Sequence, residues 1–223
     1  MRIRLAVAAA LALAAFSAAA DEEVIHSFSS SVARGRVRRV VVDIPAGEVK
    51  VRNGAADSIA LSGEVRRSYD GWRRRQKEQR IADDVTAEIY VQGDEAIIRR
   101  RFGPGAHSWS ARDFHSGMDV KIEVPVGVGV VLETRYGEVD LDGTFGDVEC
   151  DLTAGEIHVR TPRANVRDLS ASVRIGEVHA NLGDHSVDRE GLFPGSMTWI
   201  NADGKADLHV HTTFGEVHVT LTR

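Results

Sequence analysis

Thr213-Phe214-Gly215-Glu216-Val217-His218-Val219 is the last and fullest of a set of near-copies. Earlier come Gly137-Glu138-Val139, Gly146-Asp147-Val148, Gly155-Glu156-Ile157 and Gly176-Glu177-Val178, and Gly47-Glu48-Val49 has the same shape near the start. Each is a glycine, an acid and a β-branched residue, followed by alternating polar and apolar positions. Self-similarity of this kind is the signature of a repeat architecture. Gly137, Gly146 and Gly155 are nine residues apart, the length of one short strand and a turn. Gly176 follows 21 residues after Gly155 and Gly215 follows 39 after that, with Gly195 near the midpoint of the gap. The spacing predicts one column of corners, Gly137, Gly155, Gly176, Gly195 and Gly215, with Gly146 and 184–186 on the opposite side. Glycine suits such corners because it takes positive φ at little cost.

Parity fills in the strands. Val139 and Leu141, Val148 to Leu152, Ile157 and Val159, Val178 to Leu182, and Val217 to Leu221 place apolar side chains on alternate positions, with acids and histidines between them. Alternation of period two means one dry face and one wet face. No single coil buries its apolar face alone, so stacking must supply the core. The expected fold is all-β: one β-solenoid domain over 21–223, its regular array spanning 118–222. Upstream, Val40, Val42 and Ile44 share one parity before the turn at Pro45-Ala46-Gly47. Strands are also expected over 85–91 and 96–101, joined at Gly93-Asp94.

Two segments break the pattern. Residues 72–82 hold helix formers without glycine or proline, and a short helix is predicted over 70–83. Arg73, Arg74, Arg75, Lys77 and Arg80 give it a basic character. A net-acidic chain lacks the overall basic field that nucleic-acid binding relies on, so no nucleic-acid partner is expected. The tract 102–117 reads as a surface loop. It carries His107, Trp109, Phe114 and His115 among small polar residues and is the candidate interaction loop.

The first twenty residues are read as a secretory signal. Arg2 and Arg4 precede an apolar run over Leu5 to Phe16, and Ala18-Ala19-Ala20 offers small residues for cleavage before Asp21. Without Arg2 and Arg4 the chain keeps 26 basic against 33 acidic residues, a net charge of −7. No second long apolar run follows, so no transmembrane segment is expected after cleavage. The expected location is exported, in the periplasm or at the cell surface. Cys150 is the single cysteine, so no internal disulfide can form. It falls at an apolar-phase position between Val148 and Leu152 and is expected to be buried and inert.

The strand entry Pro125-Val126-Gly127, the Gly-acid-Val phrases and the terminal Gly215-Glu216-Val217-His218-Val219 resemble the bacterial putative-adhesin family of β-strand-repeat domains. The resemblance runs from about Val37 to Leu221 and is strongest after Val120. It implies a β-solenoid-like fold in the cell envelope and carries over no catalytic residues. A non-catalytic envelope interaction or scaffold module, with an envelope protein or glycan as partner, is the function expected.

The second function class rests on histidines. His158, His179 and His218 follow their glycines at one offset, each two residues after Glu156, Glu177 or Glu216. His209 and His211 form another pair on one strand face. Strands are about 4.8 Å apart, so side chains on neighbouring rungs could share an ion. The sequence specifies no cofactor, but imidazole and carboxylate ligands suit Zn²⁺ or Cu²⁺. Stacked histidines would also make the module pH-responsive. The bland alternative is a solvated polar face, and a rung at Gly195 lacking Glu and His would interrupt the ladder. The third class, a carbohydrate-active β-helix enzyme, rests on fold analogy alone. The chain has no Gly-x-Ser-x-Gly, P-loop or His-Glu-x-x-His motif, and Asp184-His185-Ser186 are too close in sequence to form a triad.

Overall fold

The computed structural model describes residues 23–67, 85–103, 117–183, 186–189 and 195–223. The signal segment, the helix expected over 70–83 and the loop residues His107, Trp109, Phe114 and His115 lie outside the described residues. Every regular element described is a strand, apart from a 3-10 turn at Arg163–Asn165. The strands are β1 (Glu23–Ala33), β2 (Arg39–Asp43), β3 (Ala46–Asn53), β4 (Ser58–Arg67), β5 (Val85–Gln92), β6 (Glu95–Phe102) and β7 (Met118–Val124). They continue as β8 (Gly129–Asp142), β9 (Val148–Pro162), β10 (Val166–Asn181), β11 (Ser186–Arg189), β12 (Gly195–Ile200) and β13 (Ala206–Thr222).

All thirteen belong to one open, mixed sheet. Its main path runs β1-β4-β7-β3-β8-β9-β13-β10-β11. The long strands β8, β9, β13 and β10 are parallel and carry two ladders each. The first half of β8 pairs with β2, which pairs with β6, while its second half pairs with β3. At the margins the neighbours turn antiparallel. β4 and β1 close one end, β5 covers β6, and β11 and β12 cover the outer edge of β10. Occupied edges cannot template pairing with another chain.

Each long strand buries two sets of side chains. In β9 these are Val148, Cys150 and Leu152, then Ile157 and Val159; in β13 they are Leu208, Val210 and Thr212, then Val217, Val219 and Leu221. The step from Leu152 to Ile157, or from Thr212 to Val217, is five residues, so the buried parity flips at the corner. The ladder skips Thr153 and Thr213 there, and the glycine that follows takes positive φ. Each strand leaves the equivalent residue unpaired, so parity changes at a shared corner without a change of register, which keeps one core on the same side of both halves. The core is continuous from Val37 to Leu221.

The order of the corners departs from the sequence spacing. Across the sheet it is Gly47, Gly137, Gly155, Gly215, Gly176. Gly195 is not in the column; it starts β12, which runs antiparallel against the first half of β10 with Val173 opposite Gly195. The rung expected at Gly195 is therefore replaced by one at Gly47, and β13 enters between β9 and β10. The physical reason is that the parallel register requires only matching parity and a glycine at the corner, which β13 satisfies against both neighbours.

Cys150 is 1% exposed. Burial, with a smaller contribution from Asp151, pushes its thiol well above the ordinary cysteine range. The folded state therefore holds the thiol proton more tightly than the unfolded state. This contribution is complete below about pH 8.5 and is lost as pH rises above that value, because the unfolded thiol then ionises. Urea unfolding midpoints of the wild type and Cys150→Ala should keep a constant difference up to about pH 8 and move in the variant's favour at pH 10. A pH-independent difference would contradict the burial argument. In the native protein a thiol-specific disulfide reagent should react only after denaturant is added.

Candidate functional site

The wet face of the second half-strands carries two adjoining columns. One, in spatial order, is Glu48, Glu138, Glu156, Glu216, Glu177; the next is Lys50, Asp140, His158, His218, His179. They lie one and three residues after the glycine corner, so the pleat points both to the same side. The parallel ladder then stacks like on like. The His158 and His218 rings are 4.8 Å apart with their planes within 10°, and those of His218 and His179 are 4.9 Å apart within 13°.

Each imidazole also meets the glutamate of its own strand. Nε2 to Oε2 is 3.2 Å for His158–Glu156, 3.1 Å for His179–Glu177 and 2.9 Å for His218–Glu216. Glu138 comes within 3.8 Å of His158 Nε2 across the strands. At the other end of the columns Lys50 pairs with Glu48 and Arg52 with Asp140. Moving along the face, fixed cations give way to imidazoles as the groups facing the acids. The donor atoms of His179, Glu216 and His218 all lie within 4.8 Å of one another.

The eight residues expected as metal ligands thus divide. His158, His179, His218, Glu156, Glu177 and Glu216 come together. The missing rung at Gly195 does not interrupt them, because β12 is not in the column. His209 and His211 precede the corner, opposite Glu149 and Asp151 of β9, and His211 Nδ1 meets Ser172 Oγ at 3.0 Å. They stand apart because the corner at Gly215 separates the two halves of β13.

Two features were not read from the sequence. The first is a cleft of about 650 Å³ beside the corners. Asp43, Glu133 and Asp151 sit in one register row on β2, β8 and β9 and line it, with Arg99, Arg100 and Arg135. Burial lowers the Arg100 guanidinium from its usual value, Asp43 opposes the shift, and Arg135 adds to it. The second is a ridge. Tyr136, Phe214 and Ile175 precede their glycines and share one row, Ala46, Tyr136, Ala154, Phe214, Ile175. They are 61%, 48% and 44% exposed, although large and apolar. Their signal was present in the sequence, as the residue before each repeated phrase. Arg135, Thr153 and Thr213, the residues just before this row, line the cleft, so ridge and cleft adjoin.

No protein-family model matches the chain, and no curated protein matches it. Among solved structures, a putative cell adhesion protein from Clostridium sporogenes is similar at 9% identity and a TM-score of 0.44, covering 88% of this chain and 99% of that one. Among the described residues no helix is long and apolar enough to cross a membrane.

Proposed function

We propose that this chain is an exported, non-catalytic binding module of the cell envelope, built as a two-faced β-solenoid whose corners form the binding edge. The leader-like first twenty residues support export. The solenoid reading rests on connectivity. Three residues, Arg163–Asn165, join the end of β9 to the start of the parallel β10. A straight strand of fifteen residues would put those ends roughly 50 Å apart, and three residues reach only about 10 Å. The short link supports a long strand that doubles back at its glycine corner.

The observation that carries the binding role is the row of Tyr136, Phe214 and Ile175, held in solvent on β8, β13 and β10, with Ala154 of β9 between Tyr136 and Phe214. A row of aromatic and aliphatic side chains on a rigid sheet, next to a charged cleft, has the composition of an interaction site rather than of a merely solvated surface. The partner is an envelope protein or glycan.

The test is affinity capture from envelope extract with residues 21–223 as bait, comparing wild type with Tyr136→Ser/Phe214→Ser. Tyr136 is 61% and Phe214 48% exposed, so the double variant should keep the wild-type melting temperature. A component retained by the wild type and lost with the variant is the expected result. Equal recovery on both would end the reading.

A further inference from the structure

We infer that His179, His218 and Glu216 form a binding site for one borderline divalent cation of the Zn²⁺ type, clasping β13 to β10. The inference is independent of the partner-binding role proposed above.

The geometry comes from the backbone. Parallel pairing sets His179 beside His218 and Glu177 beside Glu216, while the pleat puts Glu216 and His218 on one side of β13. No loop has to be ordered to assemble the three donors, since all stand on strands paired on both sides. Their donor atoms lie within 4.8 Å of one another. Two ligands of a tetrahedral ion, each about 2.0–2.1 Å from the metal, are separated by about 3.4 Å. The 2.9 Å between His218 Nε2 and Glu216 Oε2 is a few tenths of an ångström from that spacing. The His179 ring is stacked on His218, a tilt about its side-chain torsions brings its nitrogen inward, and all three side chains are part-exposed.

Charge favours a cation. Of the five glutamates in the column, Glu48 faces Lys50, whereas Glu156, Glu177 and Glu216 face imidazoles. The donor set selects among cations. Two imidazole nitrogens and one carboxylate suit Zn²⁺ and its neighbours in the first transition row. Mg²⁺ and Ca²⁺ take all-oxygen shells and are poorly served here. Three protein ligands leave a fourth position for water.

The location gives the ion a consequence. β13 follows β9 and β10 in the chain, yet it sits between them. An ion held by His179 of β10 with Glu216 and His218 of β13 bridges the junction between the inserted strand and its neighbour. Because the three donors converge only in the folded chain, the ion stabilises that state by mass action.

The experiment uses tag-free protein, freed of metal with EDTA and dialysed, and titrated with Zn²⁺ in a calorimeter. Saturable binding at one ion per chain is expected, with a melting temperature raised by roughly 5–10 °C at a hundredfold excess of free ion over Kd. Mg²⁺ should produce no shift. His179→Gln and His218→Gln should each weaken Zn²⁺ binding at least about tenfold, whereas His211→Gln should leave it unchanged. Metal-free melting of each variant verifies that it folds. As a second readout, the electron paramagnetic resonance spectrum of the Cu²⁺-loaded protein should show coupling to two imidazole nitrogens, falling to one in His179→Gln. Absence of saturable Zn²⁺ binding would overturn the inference. So would binding, or a Cu²⁺ spectrum, that His179→Gln and His218→Gln leave unaltered.

Discussion

Gly155→Ala should destabilise the protein by about 3–5 kcal/mol, a sizeable part of the roughly 5–15 kcal/mol that holds a typical domain together. Two costs combine. Gly155 has φ +136°, a conformation L-residues rarely adopt, and a Cβ built there would lie 1.8 Å from the carbonyl oxygen of Gly137. That oxygen belongs to the neighbouring strand, so it cannot swing away as a flexible side chain would. Gly137, Gly215 and Gly176 meet the same obstacle at 1.9, 1.9 and 1.8 Å from the glycine beside them. Opening one corner therefore strains the next. Gly93 is the control. It also has positive φ, +66°, but nothing lies within 4 Å of its Cβ position. Gly93→Ala should cost only the backbone term, about 1–2 kcal/mol. Urea unfolding of both variants separates the effects. Equal midpoints for Gly155→Ala and Gly93→Ala would show that the glycine column is not a steric requirement.

Deleting residues 206–223 should have a still larger effect: the segment from β8 to β12 should lose its cooperative transition. β13 has a parallel partner on each side along almost its whole length, Leu208 to Thr222 against β9 and Ala206 to Thr220 against β10. It contributes Leu208, Val210, Val217, Val219 and Leu221 to the core, all at most 2% exposed. At about 1.5–3 kcal/mol for each buried aliphatic side chain, their loss matches or exceeds the whole stability of an ordinary domain. Two buried strand edges would also open to solvent, leaving backbone groups without partners. Far-ultraviolet circular dichroism followed through urea denaturation measures the transition, and a separate peptide of residues 206–223 should restore it on mixing. A truncated protein that melts at the wild-type midpoint would refute the central placement of β13. The stacking order expected from the sequence predicts a smaller loss with the cooperative transition kept, because it makes the last strand an end rung.

These two outcomes mark what could be read without coordinates. The repeated phrase specified the local elements. Its valines and isoleucines dictated which side chains are buried, because a strand has only two faces. Its glycines dictated the corners, because no other residue fits there. Equal offsets from the glycine placed His158, His179 and His218 in one column, and parity alone was enough for that. The exposed row of Tyr136, Phe214 and Ile175 was written at an equally regular offset. It went unread because large apolar side chains in a β pattern are expected inside.

The order of the strands was not encoded in the phrases. β9, β10 and β13 present nearly the same edge, with the same parity and the same corner, so local rules make them interchangeable as neighbours. Only the assembled chain distinguishes them. The connection from β10 to β13 is long enough to carry β11 and β12 across the outer edge of β10 and to return β13 to the gap beside β9. That non-local choice removes Gly195 from the column and brings His218 between His158 and His179. The sequence by itself determined the content of each rung, because burial and backbone sterics act residue by residue. The tertiary structure decided which rungs touch, because pairing between equivalent edges depends on the path of the whole chain.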